Sequence, residues 1–241
     1  MEMMNKKNRQ FSDEWALHWD GFAGTSNSTR GAEEFARQGT KHRPSRVLDI
    51  GCGTGVLVPY LRKQCPDASF VEMDFSMEML AVNRGLHGDS ATEYCCDAIE
   101  SAPFMSESFD AILCFKALPH IEVERTLLRC AELLKPRGRI AIGYLMNGND
   151  LNTFHSPLSE SAARDHLPAA KELSKMLSNA GLTVLQCEQR PDWCFVLAEK
   201  SQGSLQSRPW RTDRGLRQVL FYPAGVGRAR RNDSSKEGLH K

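Results

Sequence analysis

The sequence predicts an α/β protein with a doubly wound, mostly parallel sheet of seven strands that ends in an antiparallel hairpin. From residue 46 onward, short apolar runs alternate with segments of helical periodicity, which is typical of βαβ units. A glycine-rich turn separates the first apolar run from the first helical segment. The last two apolar runs have only a tight turn between them, at residues 190–192, and this favours a hairpin.

The predicted elements follow one another in a regular order. The strands are Arg46–Ile50, Ala68–Met73, Thr92–Cys96, Phe109–Phe115, Arg139–Leu145, Leu182–Gln189 and Trp193–Lys200. The helices cover residues 55–64, 77–84 with Ser76 as N-cap, 121–134 and 168–180. Residues 135–138 are predicted to end the third helix, and Gly181 the fourth. Right-handed crossovers bring the carboxyl ends of parallel strands to one edge of the sheet, where ligands bind.

Two segments flank this core of residues 46–200. Residues 1–45 are expected to begin frayed, to form an aromatic-rich helix over 11–23, to break at 24–28 and to hold a further helical turn or two over 30–40. Residues 201–241 contain nine Arg and Lys against three acids, with little apolar patterning. We therefore expect an N-terminal helical segment, one core domain and a flexible basic tail.

Composition limits the class of protein. The chain has 241 residues, of which 41% are hydrophobic and 25% charged, as in an ordinary globular domain. A net charge of +1 gives no overall attraction to nucleic acid or acidic lipid. No apolar run is long enough to cross a bilayer, and the polar N-terminus has no signal-peptide core, so we expect a cytoplasmic protein without a membrane partner.

The eight cysteines include no Cys-x-x-Cys pair. This absence argues against a zinc site, and no metal is expected. In a reducing compartment the cysteines are interpreted as reduced and mostly buried thiols.

The turn Asp49-Ile50-Gly51-Cys52-Gly53-Thr54-Gly55 is the first candidate binding element. Glycines let a ligand approach the backbone, and the helix that follows points its amide groups toward the ligand. A dinucleotide fingerprint would need its third glycine at position 56, where the chain has Val56. No Lys-Ser/Thr pair follows either, which excludes a P-loop. The glycine spacing therefore argues against both NAD and ATP.

Five segments in register carry a more specific signal: 47–55, 71–80, 94–98, 108–121 and 134–139. Together they resemble the class I S-adenosylmethionine (SAM)-dependent methyltransferases, closest to the type 11, or UbiE-like, small-molecule branch. The resemblance covers roughly residues 46–200. It implies a Rossmann-like fold, an N-terminal helical lid, SAM as cofactor, and methyl transfer to an O, N, C or S atom of a small-molecule acceptor.

The resemblance also assigns cofactor contacts along the first motif. The backbone at Gly51, Cys52, Gly53 and Gly55 would lie along the methionine part of SAM. Asp49 resembles the family acid that helps to hold the amino end, often through water. The alternative for Asp49 is that it only caps the first turn of the following helix.

The next strand ends are implied to hold the nucleoside. Asp74 would accept hydrogen bonds from both ribose hydroxyls, since a carboxylate offers two acceptor oxygens. Phe75 would pack on the adenine. Asp97 would accept from the adenine amino group, with the Ala98 or Ile99 amide near a ring nitrogen. The alternatives are an N-cap for Asp74, a core position for Phe75 and an ordinary loop acid for Asp97.

The catalytic assignment is less defined. Methyl transfer from a sulfonium depends on alignment and on exclusion of water, and it needs a base only when the acceptor must lose a proton. Phe115 would lie beside the transferred methyl. His120 is the candidate base, with a structural hydrogen bond at a helix start as the alternative. Lys116 and Pro119 depart from the family pattern here; Lys116 could orient an anionic acceptor or be merely solvated.

The aromatic N-terminal segment adds Trp15, His18 and Trp19, which in relatives would belong to the lid. One of the aromatic rings could face the sulfonium through a cation–π contact, or the helix could simply dock through its aromatic side chains.

Two other functions remain open beside the small-molecule methyltransferase. One is a catalytically silent SAM-binding partner or regulator, which turnover of labelled SAM would distinguish. The other is an RNA or protein methyltransferase that uses the basic tail for phosphate contacts, although nucleic acid is not the expected partner. The acceptor and the oligomeric state are not encoded in any legible motif.

Overall fold

One sheet with helices on both faces makes up the described part of the chain, which in this computed structural model is residues 26–118, 121–145, 168–202 and 221–222. The strands are β1 Arg46–Ile50, β2 Ser69–Asp74, β3 Thr92–Cys96, β4 Phe109–Phe115, β5 Leu134–Tyr144, β6 Leu182–Arg190, β7 Trp193–Lys200 and β8 Phe221–Tyr222. The helices are α1 Ser26–Gly39, α2 Val58–Gln64, α3 Met77–His87, α4 Val123–Leu133 and α5 Ala170–Asn179.

The strand order is β6-β7-β5-β4-β1-β2-β3-β8. Strands β1 to β5 pair in parallel, whereas β7 is antiparallel to both β5 and β6. The predicted doubly wound sheet with a closing hairpin is therefore confirmed. An eighth strand that was not predicted, β8, pairs antiparallel with β3 at Tyr94 and Cys95.

The two faces of the sheet follow from the alternation of side chains along each strand. One face packs against α1 and α2 through a cluster that includes Val47, Phe70, Leu113, Phe195, Phe35 and Leu61. The other packs against α4 and α5 through a cluster that includes Leu48, Val71, Ile112, Val196, Leu127 and Leu173. Because the central strands are apolar on both faces, they stay buried, as parallel strands require.

Helix α1 begins earlier than predicted. The expected break at 24–28 is wrong over residues 26–28, since a helix of 14 residues starts at Ser26. Ala32, Phe35 and Ala36 are fully buried at helical spacing against the sheet. Packing of this apolar face therefore outweighs the weak local helix preference of the small polar residues. The aromatic segment over 11–23 lies outside the described residues.

Two other boundaries differ from prediction. Helix α2 begins at Val58 rather than at residue 55, because residues 51–57 form the glycine-rich turn. Strand β5 begins at Leu134, directly after α4, so the predicted stop at residues 135–138 lies within the strand. The β4–β5 register shifts between Phe109 and Ala111, and Arg137 has a φ of 63°. A bulge thus absorbs the extra residues.

Candidate functional site

The candidate site lies at the carboxyl edge of the parallel strands. The chain runs from β1 outward through β2 and β3, and then returns to the other side of β1 as β4. In doubly wound sheets the crevice at such a reversal is where ligands bind. The glycine-rich turn leaves β1 at this point, and the predicted site residues of β2, β3 and β4 lie at the ends of its neighbours.

The glycine-rich turn is fastened to the neighbouring strand through its backbone. The Gly51 and Cys52 amides both donate to the Met73 carbonyl, at 2.8 and 3.0 Å. The three glycines at 51, 53 and 55 have φ values of 66°, 54° and 89°, a region that favours glycine. A Cβ placed on Gly53 would meet no protein atom within 4 Å, so this residue presents open backbone. The turn is shaped for a ligand that lies against it.

Asp74 joins the turn to the start of α3. Its Oδ2 accepts from the Gly53 amide at 3.0 Å, and its Oδ1 accepts from the Ser76 amide at 2.8 Å. The helix itself is capped by Ser76, whose Oγ accepts from the Met79 amide at 3.1 Å, as predicted. The alternative of Asp74 as the N-cap is therefore wrong, and its contact with a ribose stays a prediction.

The end of β3 provides the next pair of predicted residues. Asp97 is partly buried, and its Oδ1 accepts from the Ala98 amide and from Ser101 Oγ, both at 2.7 Å. The Cys96 thiol donates to the Phe75 carbonyl at 3.6 Å, which brings the ends of β2 and β3 together. Phe75 is itself partly exposed. These contacts place Phe75, Asp97 and Ala98 on one side of the crevice.

Asp49 is buried beneath the turn, with 2% of its surface exposed. No described residue donates a hydrogen bond to its Oδ2. Burial, and then the nearby Glu72 and Asp74 carboxylates, raise the pKa of Asp49 well above its ordinary value. A buried carboxylate without a partner is costly, so the position suits a ligand that brings a positive charge or hydrogen-bond donors.

Sequence reasoning missed two residues of this cluster, Glu72 and Asn83. Glu72 is 1% exposed, and its Oε2 accepts from Asn83 Nδ2 at 3.0 Å. Asn83 is fully buried, and the same Nδ2 lies 3.5 Å from Cys52 Sγ. The signal that could have revealed them is an acid within the apolar run of β2 and an amide on the buried face of α3.

Cys52 contributes its backbone rather than its thiol to the crevice. The side chain is buried, and its Sγ lies 3.7 Å from the Gly53 carbonyl as well as beside Asn83. Burial, and then the charges of Glu72, Asp74 and Asp49, raise the pKa of the thiol well above its ordinary value. The neutral thiol is therefore the stable form, and it is not a nucleophile at neutral pH.

The end of β4 has one buried and one exposed residue. The Phe115 ring is buried in the core, with its centroid 4.8 Å from that of Phe35. Lys116 is exposed and has a φ of 62°, and its amide donates to the Gly143 carbonyl at 2.9 Å. The structure thus places Phe115 below the crevice and Lys116 at its rim. His120 and the aromatic residues Trp15, His18 and Trp19 lie outside the described residues.

The carboxylate side chains of the crevice fit a cationic, hydroxyl-rich ligand better than a phosphate. Carboxylates stand at the ends of three adjacent strands, and Asp49 has an acceptor oxygen without a donor. Carboxylates repel phosphate, whereas an ammonium can donate to Asp49 Oδ2 and hydroxyl groups can donate to the other carboxylates. Within the described ranges, no group of three or more His, Cys, Asp or Glu side chains is arranged to hold a metal ion. No helix in that part of the chain is both long and apolar enough to cross a membrane.

Comparison with known proteins agrees with this geometry. A family model described as a methyltransferase domain matches residues 48–142. A ubiquinone biosynthesis O-methyltransferase of Neisseria meningitidis is 28% identical over 158 residues, which are 59% of this chain and 65% of that protein. One of Xanthomonas oryzae is 33% identical over 105 residues, which are 42% of this chain and 43% of that protein. The alignments thus span less than two thirds of the length of these relatives.

A solved structure shows the same fold. The N-methyltransferase NodS of Bradyrhizobium japonicum, in complex with S-adenosyl-L-homocysteine, superimposes with a TM-score of 0.63 at 15% identity. The superposition covers 80% of this chain and 98% of that one.

Proposed function

We propose that the chain, whose residues 48–142 match a methyltransferase-domain model, is a class I SAM-dependent methyltransferase that binds SAM in the crevice described above and transfers its methyl group to a small molecule. The observation that carries the proposal is the buried Asp49 Oδ2, to which no described residue donates a hydrogen bond, together with the open backbone at Gly53. A ligand with an ammonium group and an extended chain fits both features.

Different residues of the crevice bind different parts of the ligand. The turn at 51–55 takes the amino-acid end, with Asp49 beneath it as the acceptor for the ammonium. Asp74 binds the ribose while it holds Gly53 and Ser76 by their amides. Phe75, Asp97 and Ala98 take the adenine. Phe115 supports the floor from within the core.

When bound, SAM supplies a methyl group on a sulfonium that is transferred by in-line displacement. The protein has to align the acceptor and exclude water, which can account for much of the rate. His120 is the proposed base for an acceptor that must lose a proton, and Lys116 at the rim is placed to orient an anionic one. The relatives named as O-methyltransferases make a hydroxyl the first acceptor group to test.

The proposal is tested by calorimetric titration with SAM and by incubation of a metabolite extract with methyl-labelled SAM, read by mass spectrometry. We expect binding and at least one labelled product. Binding without any product, across extracts of different origin, would favour the silent SAM-binding protein instead. Failure of a folded chain to bind SAM would refute the proposal.

Asp74→Ala tests the assignment of the ribose contact. We expect SAM affinity to fall by about 1–3 kcal/mol, the scale for leaving buried polar partners unpaired. Asp67→Ala is the matched control, because Asp67 is exposed in the turn before β2. Equal SAM affinity in Asp74→Ala and wild type, measured by calorimetry, would contradict the role of Asp74.

A further inference from the structure

We propose that Glu72 is a positioning residue of the SAM site and holds Asn83 against the glycine-rich turn. Glu72 also shares a proton with Asp49, so that the ammonium of the ligand binds with release of that proton. The inference rests on the proposed SAM site and adds to it a residue to which no role has been assigned.

The strand register places the residues side by side. Asp49 on β1 pairs with Glu72 on β2, and Glu72 pairs with Tyr94 on β3. Side chains in register on neighbouring strands lie on the same face of the sheet. All three are buried. Two carboxyl groups and a phenol therefore form one polar row beneath the turn.

Asn83 connects this row to the turn. Its Nδ2 donates to Glu72 Oε2 at 3.0 Å and lies 3.5 Å from Cys52 Sγ. A Cβ built on Gly55 would lie 2.6 Å from Asn83 Oδ1, so Asn83 is in close contact with the backbone of the turn. Glu72 thereby supports the turn through a single intervening side chain.

Three acceptor oxygens of the cluster have no donor from the described residues. Asp49 Oδ2, Glu72 Oε1 and Asn83 Oδ1 are buried, and no described residue donates a hydrogen bond to any of them. Buried acceptors are normally satisfied, because leaving one unpaired costs most of its hydration energy. A retained proton can satisfy one acceptor, and an ammonium brings three donors and a positive charge. The retained proton and the ammonium of the ligand therefore compete for these acceptor oxygens.

The competition between the retained proton and the ammonium concerns the carboxyl groups of Glu72 and Asp49. Titratable and charged groups from several elements surround Glu72. They are Asp49 from β1, Cys52 from the turn, Arg62 from α2, Asp89 from the turn after α3, and Tyr94 from β3. His87 of α3 lies next to Gly55 of the turn. Arg62 is the nearest fixed cation, but it donates to Asp89 at 2.8 Å and also to Thr92.

Burial raises the pKa of Glu72 to about 7, although the hydrogen bonds from Asn83 and Cys52 lower it, and burial also raises the pKa of Asp49 well above its ordinary value. Near pH 7 Glu72 is therefore protonated in about half of the molecules. Binding of an ammonium beside Asp49 stabilises the ionised pair, the carboxyl O–H bond breaks, and the proton passes to the buffer.

Two ligands separate the ammonium from the nucleoside. S-adenosylhomocysteine carries the amino-acid end, whereas 5′-methylthioadenosine is the same thioether nucleoside without it. By calorimetry at pH 6, 7 and 8, we expect the wild-type affinity for S-adenosylhomocysteine to rise about tenfold with pH, and that for 5′-methylthioadenosine to change less than about twofold. In Glu72→Gln, which keeps an acceptor for Asn83 but cannot ionise, the rise should shrink to less than about threefold.

Glu93→Gln is the matched control, because Glu93 is an exposed acid on β3 that pairs with Arg46; it should behave like the wild type. The wild type alone supplies a second measurement, which does not depend on the folding of a variant. S-adenosylhomocysteine binding at pH 7, in two buffers of different ionisation enthalpy, should release about half a proton.

Three results would overturn the inference: no proton release by the wild type, an equal pH response for both ligands, or an unchanged response in Glu72→Gln. Each of them leaves the proposed SAM site intact as long as S-adenosylhomocysteine binds. Absence of binding at every pH by the folded wild type would instead refute the SAM site, and the inference with it.

Discussion

At the scale of single residues, four acids near the crevice differ in what surrounds them. Asp74 and Asp97 accept hydrogen bonds from backbone amides at 2.7 to 3.0 Å. Asp49 and Glu72 are more deeply buried, and each has an oxygen to which no described residue donates. Hydrogen bonds favour the ionised form, whereas burial without them favours the protonated form. The two pairs of acids, Asp74 with Asp97 and Asp49 with Glu72, therefore have different local environments.

Glu72 should make the stability of the fold depend on pH. Its pKa is raised by burial from 4.5 to about 7, so between these values the folded chain binds more protons than the unfolded chain. Stability therefore falls as pH rises through this window. We expect the free energy of unfolding of the wild type to drop, relative to Glu72→Gln, by about 3 kcal/mol between pH 4.5 and 8.

Urea unfolding of both proteins at several pH values measures this difference. Glu93→Gln provides the baseline, since that carboxyl is exposed. A constant gap between wild type and Glu72→Gln across the pH range would show that Glu72 does not titrate in this window.

At the scale of elements, the glycine-rich turn and α3 behave as one unit. The turn is bound to the end of β2 through the Met73 carbonyl, and Asp74 links Gly53 to the residue that caps α3. A ligand bound against the turn would therefore lie close to the start of a capped helix, whose N-terminal amide dipoles favour negative charge.

Gly53→Ala tests whether the open side of the turn is the ligand side. With φ at 54° and no protein atom within 4 Å of the added Cβ, the substitution should cost only the left-handed strain of about 1–2 kcal/mol in stability. Affinity for SAM should fall by at least about tenfold, because the alanine side chain occupies the space along which the ligand lies.

Gly181→Ala is the control for that substitution. Gly181 follows α5, has a φ of 83° and also has nothing within 4 Å of its Cβ. The thermal stability of both variants should drop by a similar amount, while only Gly53→Ala should lose affinity in calorimetry. A Gly53→Ala protein with wild-type affinity would place the ligand elsewhere.

At the scale of the whole molecule, strand order creates the site. β1, β2 and β3 lie side by side and run in parallel, so acids that are 23 to 48 residues apart in the sequence reach one edge. The site residues within the described part of the chain all precede residue 117, whereas the hairpin β6–β7 closes the opposite side of the sheet. The site and the closing hairpin are thus separate parts of one sheet.

Removal of residues 203–241 tests the role of the basic tail. The SAM site should remain intact, with an affinity for S-adenosylhomocysteine within about twofold of that of the full chain. Self-association should increase, because loss of β8 uncovers the edge of β3 at Tyr94 and Cys95. Calorimetry and light scattering measure the two effects. Loss of ligand binding would instead make the tail part of the site, and loss of RNA binding at low salt would favour the nucleic-acid function.

Much of the fold follows from local patterns in the sequence. The seven predicted strands, the N-cap at Ser76 and the closing hairpin are confirmed. Each depends on the spacing of apolar residues or on one capping side chain, which neighbouring residues determine. The five segments in register also predicted a resemblance to the methyltransferase family, whose domain model matches residues 48–142.

Only the tertiary structure brought Glu72 and Asn83 beneath the turn and started α1 at Ser26. Glu72 shares its row with Asp49 because β1 and β2 pair in one particular register, and a shift by a single residue would turn either side chain to the other face. Register is decided by the packing of the whole sheet against its helices, so no local pattern encodes it. The sequence by itself thus determined most of the elements and the resemblance to a methyltransferase domain, while packing decided which acids lack a donor.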